Sequence, residues 1–351
     1  MAIEFAEKLS RIRVYPAADG YALPGDVALM ASNESPYPPL PEVVEAVQRA
    51  LTATNRYPDP SNARLRQALS DRYDVPKDRI AIGNGSSDLL LAAGEALLDP
   101  GAELVHAWPS FSVYPHLSAA SGARAIEVPL DGEHRHDLAA MAREITVATR
   151  LVIVCNPNNP TSTALPLDEI AEFVANVPRH AVVILDEAYA EFNLLDDPGE
   201  SIGLLAKHPN LVIMRTFSKA YGLCGLRVGY ALCGSPDFAN AVNAVRQPFF
   251  CNIAAQAAAI EALSHQDEVA RRAERNLAER TSLIDGLREL NIEAADSQAN
   301  FVWFDLPEEV EERSIVTGLA DRGVLVRAGT PLGREGALRV RVGLPRGNER
   351  F

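Results

Sequence analysis

The sequence has few lysines, few cysteines and no long apolar run. Only four of its 33 basic residues are lysines, Lys8, Lys77, Lys207 and Lys219, so few side chains can carry out amine chemistry. The four cysteines lack the CxxC spacing of zinc sites and lie mostly in apolar segments, which predicts buried, reduced thiols in a cytoplasmic protein. No apolar run approaches the roughly 18 residues of a membrane span, and the N terminus lacks a signal-peptide pattern. We therefore expect a protein that neither crosses a membrane nor is secreted.

Basic residues are also outnumbered by acidic ones, 33 against 47, which gives a formal net charge of −14. Such a field repels a phosphate backbone, so we expect no nucleic-acid partner. An anionic small substrate requires local arginines that outweigh the net field. The 351 residues, 47% hydrophobic and 23% charged, are typical of a globular chain with two domains, or one large domain with an appendage.

The middle of the chain alternates short apolar runs with amphipathic stretches of helical period. Runs that lack polar alternation indicate strands buried on both faces, and strand–helix alternation indicates a mostly parallel α/β sheet. The predicted strands are 102–107, 123–128, 150–155, 181–186, 210–216 and 226–232.

From about residue 252 the pattern changes to a long helical tract that breaks near 263–266 and ends near Leu290. Strands follow at 300–306, 323–328 and 337–343, with a helix between the first two. We predict an N-terminal arm at 1–43 that belongs with the small domain, a large domain at 44–262 and a small α+β domain at 263–351. The first forty residues, rich in proline, are expected to be an extended arm rather than part of a core.

Unusual polar clusters follow three adjacent predicted strands, at 156–162, 186–189 and 216–227. Ligands of parallel sheets bind at the carboxyl ends of the strands, so these clusters are the first candidates for a site. Asp186 ends an apolar run, and it is either a helix N-cap or a carboxylate that faces a buried cation. Lys219 lies among hydroxyls and glycines, where desolvation would lower its pKa as Schiff-base lysines require.

Two further segments contain residue types that are typical of binding sites. Residues 82–88 (IGNGSSD) open a helix and form a potential anion site, but Asp88 breaks the dinucleotide pattern G-x-G-x-x-G. The alternative is that Ser86 only caps the N terminus of this helix and binds no ligand. His134 and His136 flank Arg135 in a polar loop and are expected to be solvated, so we predict no metal site.

These clusters resemble those of fold-type-I pyridoxal-phosphate aminotransferases, through SKAYGLCGLRVGY, DEAY and NPNNPTS. The resemblance is closer to the histidinol-phosphate aminotransferase family, through segments that occur in the expected order along nearly the whole chain: SNESPYPPLP (32–41), NRYPDP (55–60), GNGSSD, WPSFSVY (108–114), SQANFVW (297–303) and LRVRVG (338–343). It implies a large domain with a mostly parallel seven-stranded sheet between helices, a smaller α+β domain, and pyridoxal 5'-phosphate as cofactor.

The resemblance also implies roles for single residues. Lys219 would bind the cofactor aldehyde and move the substrate proton, Asp186 would pair with the ring nitrogen, and Phe111 would stack on the ring. Asn159 and Tyr189 would hydrogen-bond the phenolic oxygen of the cofactor. The phosphate would be held by Gly85, Ser86, Ser87, Thr216, Ser218 and Arg227, and by Tyr57 of the neighbouring subunit of a homodimer. The substrate would meet Tyr15, Asn159, Arg327 and Arg339.

The chain departs from the family pattern at three places. It has Ser162 where the family has glycine, and Ser87 and Asp88 where the family has aspartate and glutamate. Relatives continue beyond the position of Phe351 into a final helix, and 344–351 resemble the approach to it; a missing tail would leave apolar surface exposed on the small domain. Ser162 resembles a related aromatic-aminotransferase branch, which bears on the substrate.

The resemblance implies an aminotransferase that converts L-histidinol phosphate and 2-oxoglutarate into imidazole acetol phosphate and glutamate, as in histidine biosynthesis. The alternative is an aromatic aminotransferase acting on phenylalanine or tyrosine, for which the apolar stretch 247–250 and Ser162 would be suitable. A lyase or decarboxylase on the same fold is a further alternative, as is a cofactor-binding regulator, although no DNA-binding segment is fused to the chain. Strand alternation places Arg339 and Arg341 on one face, and the resemblance selects Arg339 for the substrate anion.

Overall fold

The computed structural model describes residues 3–12 and 26–351. Its strands are β1 (Ala28–Leu29), β2 (Ile80–Gly83), β3 (Glu103–Trp108), β4 (Arg124–Pro129), β5 (Thr149–Cys155), β6 (Val182–Asp186), β7 (Leu211–Thr216), β8 (Gly229–Cys233), β9 (Phe301–Asp305), β10 (Val324–Leu325), β11 (Arg327–Ala328) and β12 (Ala337–Arg341). Its α-helices are α1 (Pro41–Leu51), α2 (Ala63–Tyr73), α3 (Ser86–Leu97), α4 (Val113–Ser121), α5 (Leu138–Arg143), α6 (Leu167–Asn176), α7 (Pro236–Val245), α8 (Ile253–Leu263), α9 (Gln266–Glu289), α10 (Glu312–Asp321) and α11 (Pro345–Arg350). Among these described residues, no helix is both long and apolar enough to cross a bilayer.

Seven strands form the large sheet, in the order β2–β8–β7–β6–β5–β3–β4. All neighbours are parallel except β8, which runs antiparallel to both β2 and β7. The predicted α/β fold with a mostly parallel seven-stranded sheet is therefore confirmed.

Both faces of this sheet are buried, which explains why its strands lack polar alternation. In β5, Leu151 and Ile153 pack with residues of α3, α4 and α7, while Val152 and Val154 pack with residues of α1, α2, α5, α6 and α8. Each such side chain contributes roughly 1.5–3 kcal/mol by burial, so apolar residues are favoured at successive positions.

A smaller antiparallel sheet, β11–β12–β9, lies beyond the long helix pair α8 and α9. The predicted break between these helices is confirmed, because α8 ends at Leu263 and α9 begins at Gln266. Alternate residues of β12 (Leu338, Val340 and Val342 after its end) pack on α9 and β9. The domain boundaries at 43 and 262 remain a prediction.

Two strand predictions need correction, and one strand of the large sheet was not predicted. The strand predicted at 226–232 begins only at Gly229, because 224–226 form a helical turn and Arg227 has a φ of +59°. The strand predicted at 323–328 is divided into β10 and β11, which pair in different sheets. The four-residue β2 was missed, since it is too short to produce a clear apolar pattern.

The sequence led us to expect that the first forty residues form an extended arm rather than part of a core, and this expectation is wrong for the part from Ala28 onward. Its strand β1 pairs in parallel with β10, and Met30 is buried in the core of the small sheet. The described arm therefore belongs to the packed structure from Ala28 onward. An open groove of about 390 Å³ lies between α9 and α11, bordered by Leu287, Leu290 and Phe351.

Candidate active site

The three polar clusters meet at one edge of the large sheet. Strands β5, β6 and β7 end there, and β8 begins there because it runs in the opposite direction, so that Thr216 pairs with Gly229. A cavity of about 230 Å³ opens at this edge. The predicted site residues that line it are Ser86, Ser87, Phe111, Asn159, Asp186, Tyr189, Thr216, Ser218, Lys219, Arg227 and Arg339.

Lys219 is the amine of this cavity. Its Nζ donates a hydrogen bond to the backbone carbonyl of Asn33 over 2.8 Å and lies 5.4 Å from the ring centre of Tyr189. Burial, followed by the positive charge of Arg339, lowers the pKa of Lys219 to about 8. Roughly a tenth of these amines are then neutral at pH 7, against fewer than about one in a thousand for an ordinary lysine, so Lys219 can act as a nucleophile or base.

Asp186 is the buried carboxylate, 3% exposed at the end of β6. Its Oδ2 accepts a hydrogen bond from Tyr114 Oη over 2.8 Å, and its Oδ1 accepts one from the Ala188 N–H over 3.2 Å. Burial raises the pKa of Asp186 to about 6, although both hydrogen bonds act to lower it. The N-cap alternative is wrong, because the next helical turn begins only at Ala190. A cationic group of a ligand would relieve the cost of keeping Asp186 ionised.

An anion cradle lies at the N terminus of α3. Gly85 precedes the helix at φ +82° without a side-chain cap, so the first N–H groups of α3 are available to an anion. A Cβ at Gly85 would collide with Arg227 Nη2, and one at Gly229 would collide with the Ser86 nitrogen. Neighbouring hydroxyls complete the cradle, since Thr216 donates to Ser218 Oγ over 2.8 Å.

These groups fit pyridoxal phosphate, the cofactor that the resemblance implies. The cradle matches its phosphate, the buried carboxylate of Asp186 matches its ring nitrogen, and the amine of Lys219 matches its aldehyde. Phe111 lines the same cavity and supplies an aromatic face. Among the residues that the structure describes, no group of three or more His, Cys, Asp or Glu side chains could hold a metal ion.

Arg339 brings the small sheet into the cavity. Its Nη1 donates to Asn159 Oδ1 over 2.7 Å and its Nη2 donates to the Ala31 carbonyl over 2.8 Å. Arg341 lies on the same face of β12 but binds the Leu29 carbonyl instead and does not line the cavity. The geometry therefore brings Arg339, and not Arg341, to the candidate substrate site.

The arm contacts the site through its backbone. The carbonyls of Leu29, Ala31 and Asn33 accept hydrogen bonds from Arg341, Arg339 and Lys219, respectively. Alternate carbonyls along the arm thus each bind one basic side chain.

Three predicted residues within the described part of the chain do not line the cavity. Gly85 lies directly behind Ser86, at the start of the helix that does. Arg327 is opposite Arg339 in the β11–β12 ladder but outside the cavity lining. Tyr57 is 80% exposed and stacks on Phe249 with ring centres 4.4 Å apart. Tyr15 lies outside the described residues.

Sequence reasoning missed several residues of the site. Asn33, Cys155 and Cys224 line the cavity, and Tyr114 binds Asp186 from behind it. Tyr114 carried a usable signal, since it follows Phe111 by three residues at the start of a helix. Asn33 lies in a proline-rich arm with no periodic pattern, and nothing in that pattern indicated a contact with the site.

The expectation of two solvated histidines is wrong for His136. This residue is 3% exposed, and its Nε2 donates to Asn158 Oδ1 over 3.1 Å. Burial lowers the pKa of His136 to about 4. In the loop between β5 and α6, which contains Asn158, Ser162 has a φ of +62°, a left-handed conformation that suits the glycine expected there from the family pattern.

A larger cavity of about 970 Å³ lies elsewhere, between α2, α9 and the loop after Asp197. It contains none of the predicted site residues. Its charged groups are mixed in sign, and its most buried one, Arg215, is already paired with Glu187 at 2.7 Å. Size therefore does not identify the chemical site in this protein.

Known proteins resemble the chain over almost its full length. The family model described as aminotransferase class I and II matches residues 25–350. An aromatic amino acid aminotransferase of Thermobifida fusca is 44% identical over 329 residues, which are 93% of this chain and 89% of that protein. A protein named histidinol-phosphate aminotransferase 2, from Nitrosospira multiformis, is 42% identical over 322 residues, 92% of this chain and 81% of that protein.

A solved structure shares the fold. The histidinol-phosphate aminotransferase from Sinorhizobium meliloti, in complex with pyridoxal-5'-phosphate, superimposes with a TM-score of 0.85 at 27% identity and covers 100% of this chain and 96% of that chain. The fold-type-I architecture implied by the sequence is thereby confirmed. Because the family match spans nearly all of the described residues, the chain belongs to the class I and II aminotransferases, enzymes that depend on pyridoxal phosphate.

Proposed function

We propose that this aminotransferase transfers the amino group of an aromatic L-amino acid, phenylalanine or tyrosine, to 2-oxoglutarate. The proposal rests on Arg339. In the described part of the small sheet, Arg339 is the residue whose guanidinium lines the cavity. One guanidinium pairs in a bidentate manner with one carboxylate, the anion of an amino acid, whereas a phosphate monoester carries up to two charges. The name of the Thermobifida fusca relative supports the same choice.

The bound cofactor supplies an aldehyde that joins amines and a ring that takes up an electron pair. We propose that Lys219 would hold the aldehyde carbon of the cofactor through Nζ, and that the free amine of Lys219 would take the proton from the substrate Cα. Asp186 would hold the proton on the ring nitrogen. Phe111 would support the ring face, while Asn159 and Tyr189 would donate hydrogen bonds to the phenolic oxygen.

The phosphate is assigned to the cradle at the start of α3. Its proposed ligands are Gly85, Ser86, Ser87, Thr216, Ser218 and Arg227, all near the same edge of the sheet. Tyr57 of a second copy is proposed to complete the cradle in a homodimer. The 80% exposure of Tyr57 supports this, because the side chain is accessible to another subunit. The free cysteines support a cytoplasmic location.

Histidinol phosphate is the second candidate donor, and it is the one that the sequence favoured. Arg327 lies directly opposite Arg339 in the β11–β12 ladder, so a modest side-chain movement would bring a second charge toward the same anion. Tyr15 would join them, although it lies outside the described residues. The name of the Sinorhizobium meliloti structure supports this alternative.

The ratio of kcat/KM for phenylalanine and for histidinol phosphate, measured with 2-oxoglutarate on one preparation, tests the choice. We expect phenylalanine to be preferred by at least about tenfold, a difference of about 1.4 kcal/mol in transition-state stabilisation. A preference for histidinol phosphate would replace the proposal with the second candidate. Repeated turnover without any oxo acid would instead indicate a lyase or decarboxylase.

A further inference from the structure

Asn33 contacts both Lys219 and Tyr189. Its side-chain Nδ2 donates a hydrogen bond to Tyr189 Oη over 2.9 Å, and its backbone carbonyl accepts the hydrogen bond from Lys219 Nζ over 2.8 Å. Asn33 is only 6% exposed and lines the cavity. An arm residue thus joins the proposed base to the phenol that is proposed to bind the cofactor.

The contact with Tyr189 determines where the phenol proton points. An Oη that accepts from Asn33 Nδ2 has its own O–H directed to a different acceptor. Tyr189 lines the cavity, so its proton is available to a ligand oxygen there. Without the Asn33 amide, the O–H could rotate toward another partner and the hydrogen bond to the ligand would weaken.

The contact between Asn33 and Lys219 also orients a polar group of the cavity. The Asn33 carbonyl takes one N–H of the amine, which fixes the direction in which the remaining hydrogens or the lone pair of Nζ point. Because both contacts come from a single residue, displacement of Asn33 alters both groups together.

We propose that Asn33 is a positioning residue that orients the Tyr189 hydroxyl and the Lys219 amine toward the cofactor and substrate. This inference rests on the proposed roles of Lys219 and Tyr189. It does not depend on which amino donor the enzyme prefers.

The arm stays in place without the Asn33 side chain, because other groups anchor it. Arg339 binds the Ala31 carbonyl at 2.8 Å, and Asn300 Nδ2 binds the Glu34 carbonyl at 3.2 Å. Asn300 is a matched control for Asn33: it is also a buried asparagine, 2% exposed, it also contacts the arm, and its Oδ1 likewise has no partner among the described residues. It donates to the arm backbone rather than to a proposed catalytic group.

Three variants, Asn33→Ala, Asn33→Asp and the control Asn300→Ala, test the proposal on the cofactor-loaded protein. The main readout is the pH midpoint at which the absorbance of the bound cofactor changes. In Asn33→Ala the Tyr189 hydroxyl donates less well to the phenolic oxygen, whose negative charge then stabilises the protonated Lys219 nitrogen. We expect the midpoint to rise by at least about 0.5 pH.

Asn33→Asp should raise the midpoint further, because a carboxylate of the same shape accepts the Tyr189 proton and adds a negative charge near Lys219. Both variants should lose about tenfold or more in kcat, with the KM for the amino donor changed less than about threefold. Asn300→Ala should keep the wild-type midpoint. The temperature midpoint of unfolding of each apoprotein identifies any variant that has lost its fold. If Asn33→Ala does not fold, the isosteric Asn33→Asp still tests the proposal.

An unchanged midpoint in folded Asn33→Ala and Asn33→Asp would overturn the proposal, as would an equal shift in Asn300→Ala, which would mean that Asn33 only anchors the arm. Failure of the proposed function has a different signature. In that case the wild-type protein would bind the cofactor and show an absorbance midpoint, yet would fail to transaminate phenylalanine.

Discussion

Tyr114 donates a hydrogen bond from Oη to Asp186 Oδ2 over 2.8 Å, and both side chains are shielded from solvent. The ring of Tyr114 also meets the ring of Phe111 edge-on, with centres 5.7 Å apart. One buried tyrosine therefore supports both the proposed ring-stacking residue and the carboxylate proposed to face the ring nitrogen.

Tyr114→Phe should weaken cofactor binding while leaving the fold intact. The ring packing is preserved, but Asp186 loses a hydrogen bond that lowers its pKa, so the carboxylate becomes harder to ionise. A lost hydrogen bond to a charged group costs about 1.5–3 kcal/mol, so we expect the cofactor dissociation constant to rise by at least about tenfold in a fluorescence titration. Tyr73→Phe is the control, because it removes the bond to Tyr230 Oη at 2.7 Å outside the cavity. Equal affinity in wild type and Tyr114→Phe would show that Asp186 does not hold the cofactor.

Lys219 should titrate near pH 8 in the apoprotein, since burial and Arg339 lower its pKa. With only four lysines in the chain, reductive ¹³C-methylation gives few NMR signals, and the signal missing from Lys219→Ala identifies the residue.

Borohydride treatment of the loaded protein should fix the cofactor on the Lys219 peptide. A label on Lys8, Lys77 or Lys207 instead would refute the proposed site.

Arg339→Lys should raise the KM for the amino donor strongly, by about 10- to 100-fold, because an ammonium cannot reproduce bidentate capture of a carboxylate. The absorbance of the bound cofactor should stay unchanged. Arg341→Lys provides the comparison, because Arg341 lies on the same face of β12 but binds the Leu29 carbonyl outside the cavity. A large KM change in Arg341→Lys with none in Arg339→Lys would reverse the assignment.

Stability should fall in mild acid through His106 and His136. Burial lowers the pKa of each to about 4, below the value near 6.5 of an unfolded histidine, so the folded state binds fewer protons between these values. Their contribution is complete above about pH 6.5 and is lost as the pH falls toward 4, with a limit of roughly 3 kcal/mol for each residue. Urea unfolding at pH 7.5 and pH 5 should show a smaller loss in His136→Gln than in wild type. The exposed His180→Gln is the control and should behave as wild type.

The large sheet can be predicted from the sequence because burial of its strands on both faces produces a pattern among residues that are neighbours along the chain. Strands such as β5 and β6 are buried on both faces and consist of almost continuous β-branched runs, while the polar residues at their ends mark the ligand edge. Lys219 could be proposed as a site residue from its neighbours along the chain, whereas Asp186 stayed open between a helix N-cap and a ligand carboxylate until the family resemblance was considered.

Other features depend on contacts that leave no local pattern. Asn33 reaches Lys219 across 186 positions through a backbone carbonyl, which any residue could provide. His136 is buried by Asn158, which a polar loop sequence does not indicate. Whether Arg327 joins Arg339 at the substrate depends on side-chain direction at the edge of a small sheet, and strand alternation gives both arginines the same face.

The alternating carbonyls of Leu29, Ala31 and Asn33 make the arm sensitive to its length more than to its composition. Each carbonyl meets Arg341, Arg339 or Lys219 whatever side chain its residue carries, so substitutions within this segment leave those three bonds available. Deletion or insertion of one residue between 29 and 33 would instead displace the following carbonyls by one position along the chain and away from their basic partners. Homologous enzymes that keep these contacts should therefore conserve the spacing of this segment without gaps, while its residue types are restricted only through their side chains, as at Met30 in the small-sheet core and at Asn33 beside Tyr189.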